Sequence, residues 1–204
     1  TLEEERILEN TLIIFSSDNG PVLNDGYYDD SDVKNGSHTP WGPYRGGKYS
    51  LFEAGTRVPF FTYWKGKIKP GVSDTMVSQL DLLSSLAQLV GSEVRTEDSL
   101  PLLELLMGQS NYGRKEMVIE ATSRTAFKRG DWVMIPPYEG FAVNDKVKIE
   151  LGNDPEFQLY NLSNDVGQQN NLALQNPKKL QEMLLAFEAI RGKDYRKTEK
   201  LELK

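Results

Sequence analysis

The residue types best suited to chemistry fall in the first quarter of the chain. Asp18 and Asn19, in "IIFSSDNGP", place one charged and one neutral oxygen side by side, a combination that suits a hard cation such as Ca²⁺ or Mg²⁺. Two oxygens are too few to hold such an ion, so further carboxylates would have to come from elsewhere, and Asp-Asn-Gly is also a common turn sequence. Lys48 follows 29 positions after Asn19, behind Gly46 and Gly47, in "RGGKYSLFEAGTRVPF". The glycines allow close backbone approach and positive φ, so this lysine can be aimed inward as a compact positive charge against a sulfate, phosphate or leaving-group oxygen. The alternative is a surface lysine after a flexible turn. His38, the single histidine, lies between the two stretches in "NGSHTPWGPYRGG". It has the chemistry of a general acid or an anion donor, although a lone loop histidine is commonly incidental. Arg45, Glu53 and Arg57 can bind anions or each other, and a structural ion pair of Glu53 with Arg57 is the simplest arrangement.

The elements that must position these groups can be read from periodicity and turn chemistry. Thr11 to Phe15 is a short apolar run rich in β-branched residues, which predicts a strand covered on both faces and therefore a parallel one. Asp18 and Asn19 then lie just past a strand end, where α/β folds place ligands. Ahead of it, Thr1 to Glu9 has the pattern of a helix end. Residues 24–43 are crowded with Gly, Asp, Asn, Ser and Pro and predict a long irregular loop. Tyr27, Tyr28, Trp41 and Tyr44, in and beside it, argue against simple disorder.

"VPFFTYW", 58–64, predicts a second buried strand. Ser78 to Val90 predicts a helix with Leu80, Leu83, Leu86, Ala87 and Val90 on one stripe and Gly91 as its stop. From Glu116 the texture changes to short alternating runs, "EMVIEA", "TAFKRG", "DWVMI", "KVKIE" and "FQLYNL", which predict a small antiparallel sheet. Asn176-Pro177 opens a last helix with Leu180, Met183, Leu184, Phe187 and Ile190 on one face. The tail from Lys193 reads as a solvated charge mixture.

Composition bounds what these motifs can mean. A chain of 204 residues can bury a sizeable core. Its net charge of −6, with acidic and basic residues interspersed, offers no basic stripe and argues against a nucleic-acid partner. The absence of cysteine excludes disulfides, thiolate metal sites and thiol nucleophiles. No apolar run is long enough to span a membrane. The N-terminus, "TLEEERILEN", has neither the features of a secretory signal nor an initiator methionine, which raises the expectation that the chain is a portion of a longer protein.

Taken in order, "NTLIIFSSDNGP", "GPYRGGKYSLFEAGTRVPFFTYWKGKIKPG" and "SQLDLLSSLAQLVG" resemble the C-terminal half of the sulfatase family, the formylglycine-dependent arylsulfatases of the alkaline-phosphatase-like superfamily. The later "GDWVMI" and "FQLYNLSNDVGQQNNLA" resemble that family's C-terminal subdomain. The resemblance implies an α/β fold: part of an alkaline-phosphatase-like sheet sandwiched by helices over 1–110, then a small antiparallel-sheet subdomain with a packed C-terminal helix over 111–204. It implies that Asp18 and Asn19 are calcium ligands, that Lys48 contacts the sulfate as a catalytic charge, and that His38 lies where substrate-contacting groups are found.

It implies sulfate ester hydrolysis in the intact protein, on a sulfated small molecule or glycan, and a periplasmic or secreted location. The family's Glu-Gly-Gly is Glu53-Ala54-Gly55 here. The Cys/Ser-x-Pro-x-Arg motif that yields the formylglycine, and the paired aspartates that begin the calcium site, are absent from these residues. The expectation is therefore a C-terminal portion, inactive alone, whose nucleophile and remaining ligands belong to a missing N-terminal half. Two other readings stay open: a phosphate or phosphonate ester hydrolase of the same superfamily, and a non-catalytic carbohydrate-binding module derived from the fold.

Overall fold

A computed structural model describes residues 1–194, Tyr28 and Arg95 excepted; most of the predicted tail, and Tyr28 of the loop, lie outside the described residues. In chain order the elements are β1 (Ile13–Ser16), α1 (Ser31–Lys34), β2 (Phe60–Tyr63), α2 (Asp81–Leu89), α3 (Leu103–Leu106), β3 (Glu116–Ala121), β4 (Arg124–Arg129), β5 (Trp132–Ile135), β6 (Val143–Asn144), β7 (Ile149–Glu150), β8 (Gln158–Asn161) and α4 (Pro177–Arg191). They form two compact units, one of Thr1–Ser16 with Pro59–Lys115, the other of Ser17–Val58 with the chain from Glu116 on. The expected division after residue 110 falls near the change of unit at Lys115, whereas residues 17–58, read from the sequence with the first domain, pack with the second unit.

Alternation along the later strands builds the second unit. The sheet runs β3-β4-β5-β8, antiparallel throughout. Val118, Phe127, Met134 and Leu159 face one another across its four strands and pack against Met183 and Phe187 of α4. The alternate residues Ile119, Ala126, Val133, Ile135 and Tyr160 form the other face and take Leu51 and Phe52 onto it. The sheet is thus covered on both sides, by α4 and by the segment that follows Lys48. Each fully buried side chain of this size contributes about 1.5–3 kcal/mol. The predicted stripe on α4 is inward at Leu180, Met183, Leu184 and Phe187, while Ile190 is exposed.

The first unit departs from expectation at three points. Residues 1–9 form turns rather than a helix end, with Arg6 at φ 58° and a short 3-10 turn at Leu8–Asn10. β1 pairs with β2 antiparallel, Phe15 opposite Phe61. These two rings stack at 4.8 Å on a face that leaves Phe15 51% exposed, so the apolar run does not mark a strand covered on both sides among the described residues. α2 forms inside the predicted 78–90 but spans only Asp81–Leu89, with Gly91 just past its end; the residues it buries are Asp81, Ser84, Ser85 and Ala87, while Leu83 and the flanking Leu80 and Val90 are exposed. The chain is a mixed α/β protein with antiparallel sheets and a C-terminal helix. Among the described residues no helix is long and apolar enough to cross a membrane.

Candidate functional site

Two stretches far apart in sequence are bound together by backbone contacts that only glycine permits. Gly20 N–H donates to the Gly55 carbonyl at 2.8 Å, and Lys48 N–H donates to the Pro21 carbonyl at 2.9 Å. A Cβ on Gly20 would collide with the Ala54 carbonyl, and one on Gly47 would come within 2.6 Å of the Pro21 carbonyl oxygen. The glycines therefore let the turn after β1 lie against the loop that carries Lys48. Ser17 Oγ closes that turn by donating to the Asn19 carbonyl at 3.0 Å, and Asn19 Nδ2 donates to the Gly20 carbonyl at 2.9 Å. The amide of Asn19 is thereby oriented with its Oδ1 left as an acceptor.

The loop that carries Lys48 is anchored from below by buried charge. Glu53, 3% exposed, accepts from Lys128 Nζ at 2.8 and 2.7 Å and from Arg57 at 3.3 Å, and its backbone N–H donates to Gln168 at 2.7 Å. The expected Glu53–Arg57 pair exists, but Lys128 of β4 makes the shorter contacts. Arg45 grips Glu150 with two bonds of 2.8 and 2.6 Å, which raises the guanidinium pKa and holds the Glu150 carboxyl below its usual range. Arg45 also lies 4.1 Å over the Phe52 ring. Ion pairs that are this well bonded and partly buried fix geometry more surely than they add stability.

What they fix is a cavity of about 200 Å³ in the second unit, whose lining includes Asp18, Asn19, Lys48, Tyr49 and Thr56 together with Glu120 and Ala121 at the end of β3 and Thr122 just past it. Lys48 Nζ donates to Asp25 Oδ2 at 2.5 Å, and the Tyr49 hydroxyl donates to Asp25 Oδ1 at 2.8 Å. The bond from Lys48, then that from Tyr49, hold the Asp25 carboxyl below the usual carboxylate range; the bond to Asp25 pushes Lys48 up, so its ammonium stays charged. Asp18 has no hydrogen-bond or ion-pair partner among the described residues. One free carboxylate and one amide oxygen match a hard cation in type. In number they are only part of a shell, and no group of three or more acidic, His or Cys side chains gathers among the described residues.

Of the residues picked out in the sequence, Asp18, Asn19 and Lys48 meet in this cavity. His38 is exposed in the loop after α1 and does not line it. Asp25 and Tyr49 carried no periodic or spacing signal, since both lie in loop sequence. The Thr122 contribution was equally hidden: Thr122 and Ser123 make a tight hairpin turn with φ of 50° and 66°, without the Asn-Gly or Asp-Gly that usually announces one.

The Sulfatase family model matches residues 1–92. An N-acetylgalactosamine-6-O-sulfatase of Bacteroides thetaiotaomicron is 40% identical over 195 residues, which is 94% of this chain and 38% of that protein. Arylsulfatase A of Homo sapiens is 36% identical over 113 residues, 54% of this chain and 20% of that protein. A solved structure from Bacteroides thetaiotaomicron, described in connection with the metabolism of multiple glycosaminoglycans, superimposes with a TM-score of 0.88 at 39% identity, covering 93% of this chain and 40% of that one. The chain thus spans about two fifths of the length of that N-acetylgalactosamine-6-O-sulfatase.

Proposed function

Because the chain belongs to the sulfatase family, we propose that it is part of a protein that hydrolyses sulfate esters, with glycans carrying 6-sulfated N-acetylgalactosamine as the substrate class. The observation that carries this reading is the meeting of Lys48 with Asp18 and Asn19 in one cavity. A sulfate group bears its charge on peripheral oxygens, and cleavage of its ester puts further charge on the bridging oxygen. A fixed ammonium such as Lys48 stabilises that charge best where water is scarce. Asp18 and Asn19 would supply two oxygens to a Ca²⁺ ion, which when bound adds positive charge beside the sulfate. The nucleophile is a formylglycine from residues outside these 204, so the chain alone is inactive.

The same reading accounts for the exposed leucines of α2 and the open face of Phe15 and Phe61: further residues of the intact protein, an N-terminal half, cover them. It also places the protein in the periplasm or outside the cell. The test is sulfate release from N-acetylgalactosamine 6-sulfate by the full-length protein. Lys48→Ala is expected to lower kcat/KM by a factor on the order of a hundred, the scale of losing one transition-state charge partner. Wild-type turnover in that variant would remove Lys48 from the chemistry.

A further inference from the structure

Lysine is a poor catalytic charge unless something aims it, because its four-carbon stem is flexible and its ammonium hydrates strongly. Here the backbone of Lys48 is tied to Pro21, and its far end is tied to Asp25 at 2.5 Å. Asp25 does not line the cavity, while Lys48 and Tyr49 do. We infer that Asp25 is a positioning residue that fixes the ammonium of Lys48 at the cavity, and that the Tyr49 hydroxyl fixes Asp25 in turn. The inference rests on the sulfate-ester reading given above and names residues that act through Lys48.

An ordinary surface ion pair would show little more than two charges in reach of each other. This one differs in two respects. Both carboxylate oxygens of Asp25 are used, one by the ammonium and one by the Tyr49 hydroxyl, so the acceptor cannot swing with the lysine. Tyr49 itself has φ of 77°, a left-handed conformation that a bulky residue adopts only where its surroundings over-determine it. That backbone turn is what carries the ring to Asp25 from the position next to Lys48. An ammonium has three N–H donors; with one spent on Asp25, two are left for an anion in the cavity. Asp18 and Glu120, the other charged residues lining the cavity, make no hydrogen bond or ion pair to Lys48 and leave that direction to Asp25.

The test uses the full-length protein, with N-acetylgalactosamine 6-sulfate as substrate and ¹³C-labelled lysine for NMR. Asp25→Asn is expected to lower kcat on the order of tenfold, the scale of a misaligned catalytic group, while KM changes less. Asp25→Glu should restore part of that loss, and Tyr49→Phe should fall short of wild type in the same direction. The two Hε protons of Lys48, inequivalent in a held side chain, should merge into one signal in Asp25→Asn. A wild-type kcat in Asp25→Asn, or a loss that Asp25→Glu does not recover with the Hε pair unchanged, overturns the role of Asp25. A wild-type protein that releases no sulfate overturns the sulfatase reading instead; the Hε signals then still decide whether Asp25 holds Lys48.

Discussion

α2 and α4 are both amphipathic, yet they turn opposite faces inward. α4 buries Met183 and Phe187 against the sheet. α2 buries Asp81, Ser84 and Ser85 and leaves Leu80 and Leu83 exposed. Its inner face is a bonded polar network: Asp81, fully buried, accepts from Ser78 N–H and Leu100 N–H at 2.9 Å and from two nitrogens of Arg114 at 2.8 and 2.6 Å. Ser84 and Ser85 bond across to Ser99, Leu100 and Leu102. Every one of these buried side chains has partners, as a polar interior requires. The lesson is that an apolar stripe says what has to be covered, whereas the bonded polar face says what this chain itself covers. In the second unit the two coincide, and in the first they do not.

The sharpest way to break the contrast is to attack each helix through its own kind of contact. Phe187→Ala removes a fully buried ring from between α4 and Phe127. It is expected to destabilise the second unit by about 3–5 kcal/mol, read as faster amide exchange in β4 and β5. Arg114→Met leaves Asp81 buried with its two backbone donors but no counter-charge, and about 3 kcal/mol is expected from that loss, read in the amides of α2. If Phe187→Ala left β4 and β5 protected, the apolar face of α4 would not be what holds them. A silent Arg114→Met would likewise mean that the polar face of α2 is decoration.

How much of this was legible follows from which signals are local. The sheet was, because Val118, Phe127, Met134 and Leu159 alternate with residues of the opposite face, and a period of two fixes both strand and register. The meeting of Asp18, Asn19 and Lys48 was legible through the order of motifs rather than through the residues singly. The pairing of β1 was not: a continuous apolar run signals cover on both faces, and cover is supplied by whatever else is present. Asp25 and Lys128 were invisible for a different reason. Each finds its partner across a long loop or across the sheet, 23 and 75 positions away, where no periodicity reaches.

The smallest expected effect is the one that tests what the first unit is for. Leu83, 53% exposed on α2, has little to lose in this chain. Leu83→Ser in the 204-residue chain should therefore change stability by less than about 0.5 kcal/mol in urea denaturation. In the full-length protein, where the proposed N-terminal half lies over α2, the same substitution replaces a buried side chain and should cost about 2 kcal/mol or more. Equal small costs in both would mean that nothing covers the stripe, and the N-terminal half would have to pack elsewhere. A large cost in the short chain would mean that the leucines are already buried there, so the contrast between α2 and α4 would disappear.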